Sequence, residues 1–219
     1  AYRVNQVLPE GCDPRAATMV ITWRETYSYI TRMGVRAGAS VLVLGSGGNG
    51  LAFVRHAVNL GAGEVVHVGN PARERLGRAA GAAHYLDYRA PDLRDLLAGL
   101  IPGGFDFIID AVGRRGEVDR VLPSLRPGGT VGIYGIDDYA DCAIHPHRSR
   151  GSFTVYNGGY DEAEAHGRVV TLWQEGRLDA RLWLDLDHPF PLDEIAEAMA
   201  AVRERRLVKA LVRLGSGRL

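Results

Sequence analysis

The sequence predicts an α/β fold: a doubly wound, parallel six-stranded sheet with a short C-terminal helix–strand appendage. Three observations carry this. Val41-Leu42-Val43-Leu44 runs straight into Gly45, Gly47 and Gly50, an apolar stretch followed by a glycine-rich turn and then a helix-like stretch from Leu51. Four consecutive apolar residues suit a strand buried on both faces. Strand-like and helix-like stretches then alternate regularly, which requires parallel strands joined by crossover helices. Finally, Gly34, Gly61 and Gly81 each stop a helix-like stretch, as glycine does just past a helix end.

Taken in order, residues 1–13 read as irregular, with Pro9, Gly11 and Pro14 as breakers. Asp13 as N-cap and Pro14 at the first helical position start a helix that runs to about Arg32. Residues 36–39 turn into the first strand, 41–45. A helix over about 48–60 leads to a second strand at 64–68. A helix over 71–80, a short strand at 84–86 and a small helix at 91–99 follow. Phe105-Asp106-Phe107-Ile108-Ile109-Asp110 is a buried strand. A helix near 116–123 ends before Arg126-Pro127-Gly128-Gly129, which reads as a turn. Residues 130–136 and 151–156 supply the fifth and sixth strands. Beyond them lie a helix over 161–174, an extended stretch at 182–186, a helix over 192–204 and a final strand at 207–214, with a loose tail at 215–217. The organisation expected is a linker and leading helix in 1–35, a Rossmann dinucleotide-binding core in 36–160, and C-terminal helices and strand in 161–219.

The bulk numbers narrow the function. The chain has 219 residues, 46% of them hydrophobic, which is ample for a globular core. Its 26 basic and 26 acidic residues cancel, so no charge excess points to nucleic acid or an anionic membrane. No apolar run approaches the roughly 20 residues of a membrane span, and no signal-peptide pattern opens the chain. Cys12 and Cys142 form no C-x-x-C pair; they read as free thiols of a cytoplasmic protein. The chain opens on Ala1, so a processed protein and a piece of a longer one are both open readings.

Strand, glycine turn and helix together form the context in which G-x-G-x-x-G becomes a dinucleotide site. Gly45 permits the turn, Gly47 lets a pyrophosphate approach the backbone, and Gly50 lets helix and strand pack closely. With Ser46, Gly48 and Asn49 they form the cradle, and the helix N-terminus faces the phosphates. A glycine-rich turn without a ligand is the alternative.

The order of motifs resembles the medium-chain dehydrogenase/reductase family, of the alcohol and polyol dehydrogenase type. The matching pieces are Ala16-Ala17 leading into the helix with Thr26; the Val41-Leu42-Val43 strand and its glycine loop; Leu60-Gly61-Ala62; Ala80-Gly81-Ala82; residues 105–113; Leu125-Arg126-Pro127-Gly128-Gly129-Thr130; and Leu207-Val208-Lys209-Ala210. The resemblance implies hydride transfer between a nicotinamide cofactor and a carbonyl, alcohol or activated alkene. It also implies an N-terminal substrate domain ahead of this region, against which 161–219 would pack. A catalytically incomplete nucleotide-binding or dimerisation module is the other reading of this chain.

Cofactor choice turns on the end of the second strand. NAD enzymes of this fold place a carboxylate there for the ribose 2′-OH. Here the position is Gly69, in Val68-Gly69-Asn70-Pro71. Gly69 is expected to leave room for a 2′-phosphate, with Asn70 donating to it and Arg73 or Arg75 pairing with it. NADP(H) is therefore favoured over NAD(H); arginines that simply solvate a helix face are the alternative. By the resemblance, Ala111, Val112 and Gly113 approach the nicotinamide ribose, and Tyr134, Gly135 and Ile136 the carboxamide. Thr26 would face the nicotinamide, and Lys209 would reach the pyrophosphate or stand as a solvent-facing lysine.

Zinc-dependent members carry a ligand one helical turn before the threonine that matches Thr26. Here that residue is Thr22, a poor ligand for a metal that prefers thiolate, imidazole or carboxylate, so no metal ligand is assigned. His145-Pro146-His147 reads as an exposed connection, and His56 and His67 as packing or surface residues. His84, His166 and His188 have no acidic partner at motif spacing. The sixth, edge strand, Ser152-Phe153-Thr154-Val155-Tyr156, matches the strand that pairs across a two-fold axis in the family, which implies a homodimer.

Overall fold

A computed structural model describes residues 5–141 and 143–215. Cys142, read above as a free thiol, and tail residues 216–217 lie outside the described residues. The chain divides into two units: Thr26–Asp161, and Ala1–Glu25 together with Glu162–Leu219.

Two helices replace the single one expected at the start. Asp13 caps α1 (Pro14–Ala17), its carboxylate accepting the Arg15 N–H at 2.9 Å. The turn then tightens to three-residue bonds: the Met19 N–H donates to the Ala16 carbonyl at 3.0 Å, and the Thr18 hydroxyl to the Arg15 carbonyl at 2.7 Å. That tightening interrupts the run before α2 (Val20–Arg32) begins.

Thr26–Asp161 carries the sheet. Its strands are β1 (Ser40–Leu44), β2 (Glu64–Gly69), β3 (His84–Asp87), β4 (Phe105–Asp110), β5 (Leu125–Ile133) and β6 (Thr154–Tyr156). All neighbours pair in parallel, in the order β3-β2-β1-β4-β5-β6. The crossovers are α3 (Gly48–Asn59), α4 (Glu74–Ala79), α5 (Leu93–Leu100) and α6 (Glu117–Val121). The chain builds outward from β1 to β3, then returns to add β4 to β6 on the other side. The reversal between β1 and β4 opens a crevice at the C-terminal strand ends, where doubly wound sheets bind ligands.

Alternation along the strands explains the two layers. Leu42, Leu44, Val66, Val68 and Ile108 face one way and bury against Leu93 and Leu97 of α5 and Val118 and Val121 of α6. On the other face, Tyr29 of α2 packs edge-on against Phe53 of α3 at 5.7 Å and Tyr156 of β6 at 4.9 Å. These contacts explain why the second half of α2 belongs to the sheet unit.

Several local expectations change. Residues 126–129 are not a turn outside the sheet; they lie within β5, where the register against β4 shifts between Phe105 and Phe107. Such an irregularity absorbs a Pro-Gly-Gly segment without ending the strand. The expected helix over 71–80 opens as a 3₁₀ turn, Pro71–Arg73, because the Asn70 side chain caps it by accepting the Ala72 N–H at 3.0 Å. The edge strand is shorter than expected, Thr154–Tyr156.

The other unit contains α7 (Glu162–Gln174), α8 (Ile195–Arg203) and a small parallel pair, β7 (Phe190–Pro191) with β8 (Val212–Arg213). Fully buried Trp23 packs between Trp173 and Trp183, at centroid distances of 6.1 and 5.7 Å. Arg24 pairs with Glu162 at 2.7 Å, both side chains largely buried. The expected extended stretch at 182–186 follows a 3₁₀ turn, Ala180–Leu182, instead of forming a strand. The final strand shrinks to two residues, which pair with β7.

Candidate functional site

The crevice starts at the β1–α3 turn. Gly45 leaves β1 with φ +102°, a conformation that favours glycine, and its N–H donates to the Val68 carbonyl at 2.9 Å. A Cβ on Gly50 would lie 1.7 Å from the Gly45 oxygen. The helix therefore packs on the loop with no room for a side chain. Gly47 is the opposite case: it is the N-cap of α3, and a Cβ there would meet no atom within 4 Å. Ligand phosphates can approach the backbone over this open face, at a helix end whose N–H groups favour negative charge. Gly48 and Asn49 open the helix behind it. Ser46 is tied sideways, its hydroxyl accepting the Asn70 N–H at 3.0 Å.

That bond leads to the end of β2. The Tyr85 hydroxyl donates to the Asn70 carbonyl at 2.6 Å. Burial raises the Tyr85 pKa, while contact with Ser46 and the positive charge of Arg73 act against the rise. Here the expectation for Gly69 needs correction. A Cβ at Gly69 would sit 2.4 Å from the Tyr85 oxygen and 2.5 Å from Cβ of Ser46. The space beside Gly69 is filled by its own neighbours, so any room for a phosphate lies further out, toward Asn70 and Arg73. Arg73 is not on an exposed helix face: it is only 9% exposed. Arg75 is exposed. The carboxylate across from Gly69 is Asp87 of β3, which accepts the Arg89 N–H at 2.9 Å.

On the far side of the crevice, the loops after β4 and β5 lock together. Asp110, 1% exposed, ends β4 and accepts the Val112 and Gly113 N–H groups on Oδ1 at 2.9 and 3.0 Å. Burial raises its pKa against the lowering effect of those two bonds. Its backbone carbonyl takes the N–H groups of Tyr134 and Gly135 at 3.0 and 2.9 Å. A Cβ on Gly113 would meet the Gly135 carbonyl carbon at 2.2 Å, so the two backbones touch. The Ala111 N–H donates to the Leu44 carbonyl at 3.0 Å, and a Cβ on Gly45 would meet Val112 at 2.6 Å. The structure thus gathers residues 45–50, 69–73, 111–113 and 134–136 at one end of the sheet. Ile136 is 71% exposed there. Tyr134 packs against Phe53 at 4.9 Å.

Thr26 is fully buried in α2, at the start of the sheet unit. Lys209 belongs to the other unit and precedes the shortened β8 rather than standing in it. Burial holds its ammonium below the usual lysine range, with Glu25 pulling the other way. Thr22 is buried in that same unit. Among the described residues no three His, Cys, Asp or Glu side chains gather to hold a metal.

Reading by motif spacing missed three groups. His67, read as a packing or surface residue, is fully buried and its Nε2 lies 2.9 Å from the Gly45 carbonyl. Asp119 accepts the His145 backbone N–H at 2.8 Å and also bonds the His145 ring. Burial pushes the Asp119 carboxyl up, but His145 outweighs it and the net shift is downward. The two are 26 positions apart, so no local pattern could show them. His188 does have an acidic partner, Asp185, with its ring at 3.0 Å. That pair is exposed.

Comparison with known proteins places this geometry. A family model described as zinc-binding dehydrogenase matches residues 48–158, just over half of the chain. A Mycobacterium tuberculosis protein named "Probable zinc-binding alcohol dehydrogenase" is 30% identical over 212 residues, covering 90% of this chain and 51% of its own length. L-galactonate-5-dehydrogenase of Escherichia coli is 27% identical, covering 95% of this chain and 62% of its own. The chain thus spans about half to three fifths of the length of these relatives. Benzyl alcohol dehydrogenase of Acinetobacter calcoaceticus superposes with a TM-score of 0.84 at 16% identity, over 95% of this chain and 59% of that one. For 2R,3R-butanediol dehydrogenase of Bacillus subtilis the values are 0.81, 23%, 95% and 60%; these structural likenesses speak for the fold. The chain belongs to the zinc-binding dehydrogenases of the medium-chain dehydrogenase/reductase family, and it corresponds to their cofactor-binding domain.

Proposed function

We propose that this chain supplies the nicotinamide-dinucleotide site of a cytoplasmic oxidoreductase. The enzyme would transfer hydride between NADP(H) and a small carbonyl, alcohol or activated-alkene substrate. The carrying observation is the contrast between Gly50, packed on the Gly45 carbonyl, and Gly47, whose outer face is open. It occurs at the crevice between β1 and β4. When bound, the dinucleotide supplies the hydride chemistry; the chain binds and orients it. The loop and the α3 N-terminus take the pyrophosphate. Residues 111–113 and 134–136 hold the nicotinamide end through backbone groups set by Asp110. A cytoplasmic setting fits a sequence with two cysteines and no disulfide spacing.

NADP(H) is favoured over NAD(H). β2 ends without a carboxylate of its own, and Arg73 places positive charge beside Tyr85 and Asn70. Calorimetry tests this. NADPH should bind tighter than NADH, and Arg73→Ala should cost NADPH about ten-fold while sparing NADH. Tighter NADH binding by the unmodified chain would overturn the preference.

A second reading is a nucleotide-binding or dimerisation module without its own turnover. Tight NADPH binding with no reduction of any aldehyde, ketone or quinone would select it. Supporting dimerisation, β6 lies at the sheet edge and Val155 on it is 44% exposed, a surface open to pairing with a two-fold mate. Sedimentation should then show a dimer at micromolar concentration, and Val155→Lys should dissociate it.

A further inference from the structure

The sheet has a second polar cavity, at the end opposite the glycine loop. Ser124 sits just before the start of β5, and Ile101 just before β4, whereas the loop follows the C-terminal end of β1. The cavity has a volume of about 250 Å³. Arg94 and Ala98 line one wall from a single face of α5, as their spacing dictates, and Ile101, just past the helix end, continues it. Pro123 and Ser124 close another wall, and Arg148, Ser149 and Arg150 the rest.

Its chemistry is one-sided. Three guanidinium groups line it, and no carboxylate does. Arg150 donates to the Pro102 carbonyl at 3.1 Å, which fixes its side chain against the rim and leaves its charge unneutralised. Ser124 is 5% exposed, and its buried hydroxyl has no hydrogen-bond partner among the described residues. A buried, unsatisfied hydroxyl costs free energy unless a ligand or solvent meets it. The Ser149 hydroxyl, by contrast, is already committed to the Pro146 and Gly151 carbonyls, at 2.9 and 2.6 Å. A lining with three guanidinium groups and no carboxylate disfavours cations. Guanidinium forks with one hydroxyl match a compact tetrahedral anion.

We propose that this cavity binds a phosphate dianion, free or as the end of a small monoester, separately from the dinucleotide. The Arg94, Arg148 and Arg150 side chains take its oxygens from the open side, and the Ser124 hydroxyl donates from within. The volume admits the phosphate group but not a nucleotide.

Titration calorimetry on the full chain, above neutral pH and at low salt, tests it with inorganic phosphate and glycerol phosphate as probes. One phosphate site is expected that Arg94→Ala and Arg148→Ala each weaken about ten-fold. Ser124→Ala should weaken it several-fold. Arg203→Ala, an exposed arginine of α8, should leave it unchanged. Binding of both probes assigns the cavity to monoesters, and binding of inorganic phosphate alone to the free ion. An absent phosphate site in the unmodified chain overturns the proposal. So does phosphate binding that survives the Arg94→Ala/Arg148→Ala/Arg150→Ala triple change, or that chloride matches at equal concentration. Circular dichroism of the variants separates lost binding from lost fold, and none of these outcomes bears on NADP(H) affinity.

Discussion

His67 donates from Nε2 to the carbonyl of Gly45 across 2.9 Å. A carbonyl only accepts, so the proton must sit on Nε2. Nδ1 is then left as a bare lone pair, buried with no partner among the described residues, facing Gly77 of α4. A single ring in β2 therefore holds the first glycine of the cofactor loop.

Stability should record that ring in acid. Burial lowers the His67 pKa to about 4, only partly opposed by the bond to Gly45. An unfolded histidine titrates near 6.5. Between those values the unfolded chain binds more protons. The stabilisation is therefore complete above about pH 6.5 and is lost as pH falls toward 4. The full effect is of order 3 kcal/mol. Urea unfolding at neutral pH and near pH 4.5 should show wild type losing about 2 kcal/mol more than His67→Phe. Equal losses would refute the assignment. His67→Phe should also weaken NADPH binding about ten-fold, and His67→Gln, which can still donate, should recover part of it.

Asp110 acts as an acceptor more than as a charge. Asp110→Asn keeps an oxygen for the Val112 and Gly113 N–H groups, so it should be as stable as wild type or more so at neutral pH. Asp110→Ala strands both donors and should cost about 2 kcal/mol. Because burial raises this carboxyl's pKa, its contribution is fully present below the unfolded value and declines as pH rises through the folded one. Asparagine should remove that decline. Denaturant midpoints across pH decide it, and an asparagine variant as unstable as the alanine variant would count against this role.

Two alanine substitutions in one loop should both lower affinity but differ in stability. At Gly50 the new methyl would sit 1.7 Å from the Gly45 oxygen. The helix must shift off the loop, and both stability and NADPH binding should fall sharply, by about 3 kcal/mol or more in stability. At Gly47 the methyl meets nothing within 4 Å. The thermal midpoint should hold while affinity drops, because the methyl takes the ligand's space. Unchanged affinity in Gly47→Ala would place the pyrophosphate elsewhere.

All three tryptophans of the chain, Trp23, Trp173 and Trp183, lie in the unit that joins the two chain ends. Tryptophan emission thus reports on that unit alone. Trp23→Ala should cost about 3–5 kcal/mol in the emission-detected transition, the usual penalty for emptying a large buried site. A change below about 1 kcal/mol would show that the cluster contributes little.

Much of the architecture was legible in residue order. Apolar runs, glycine stops and the 45–50 spacing suffice for a parallel sheet with a dinucleotide turn, since strand and helix periods are written in near neighbours. Gly50 could be read the same way, because its partner Gly45 lies in the same turn. What the sequence could not show depends on register and burial between distant segments. Whether Gly69 leaves room was decided by Tyr85, which parallel pairing of β2 with β3 carries over it. The Pro-Gly-Gly segment stays within β5 because the register against β4 shifts across it, Leu125 pairing with Phe105 and Thr130 with Phe107, while the Gly128 N–H donates to the Ser152 carbonyl at 2.7 Å.

By itself, then, the sequence determined the alternation of elements, the glycine loop and the absence of a carboxylate at the end of β2. Tertiary structure alone decided that His67 holds Gly45, that Asp110 knits the loops after β4 and β5, and that Arg94, Arg148 and Ser124 share a cavity. The physical reason is common to all three. Periodicity is a property of neighbouring residues, whereas a hydrogen bond or a shared cavity requires two strands or helices to arrive at the same place through crossovers.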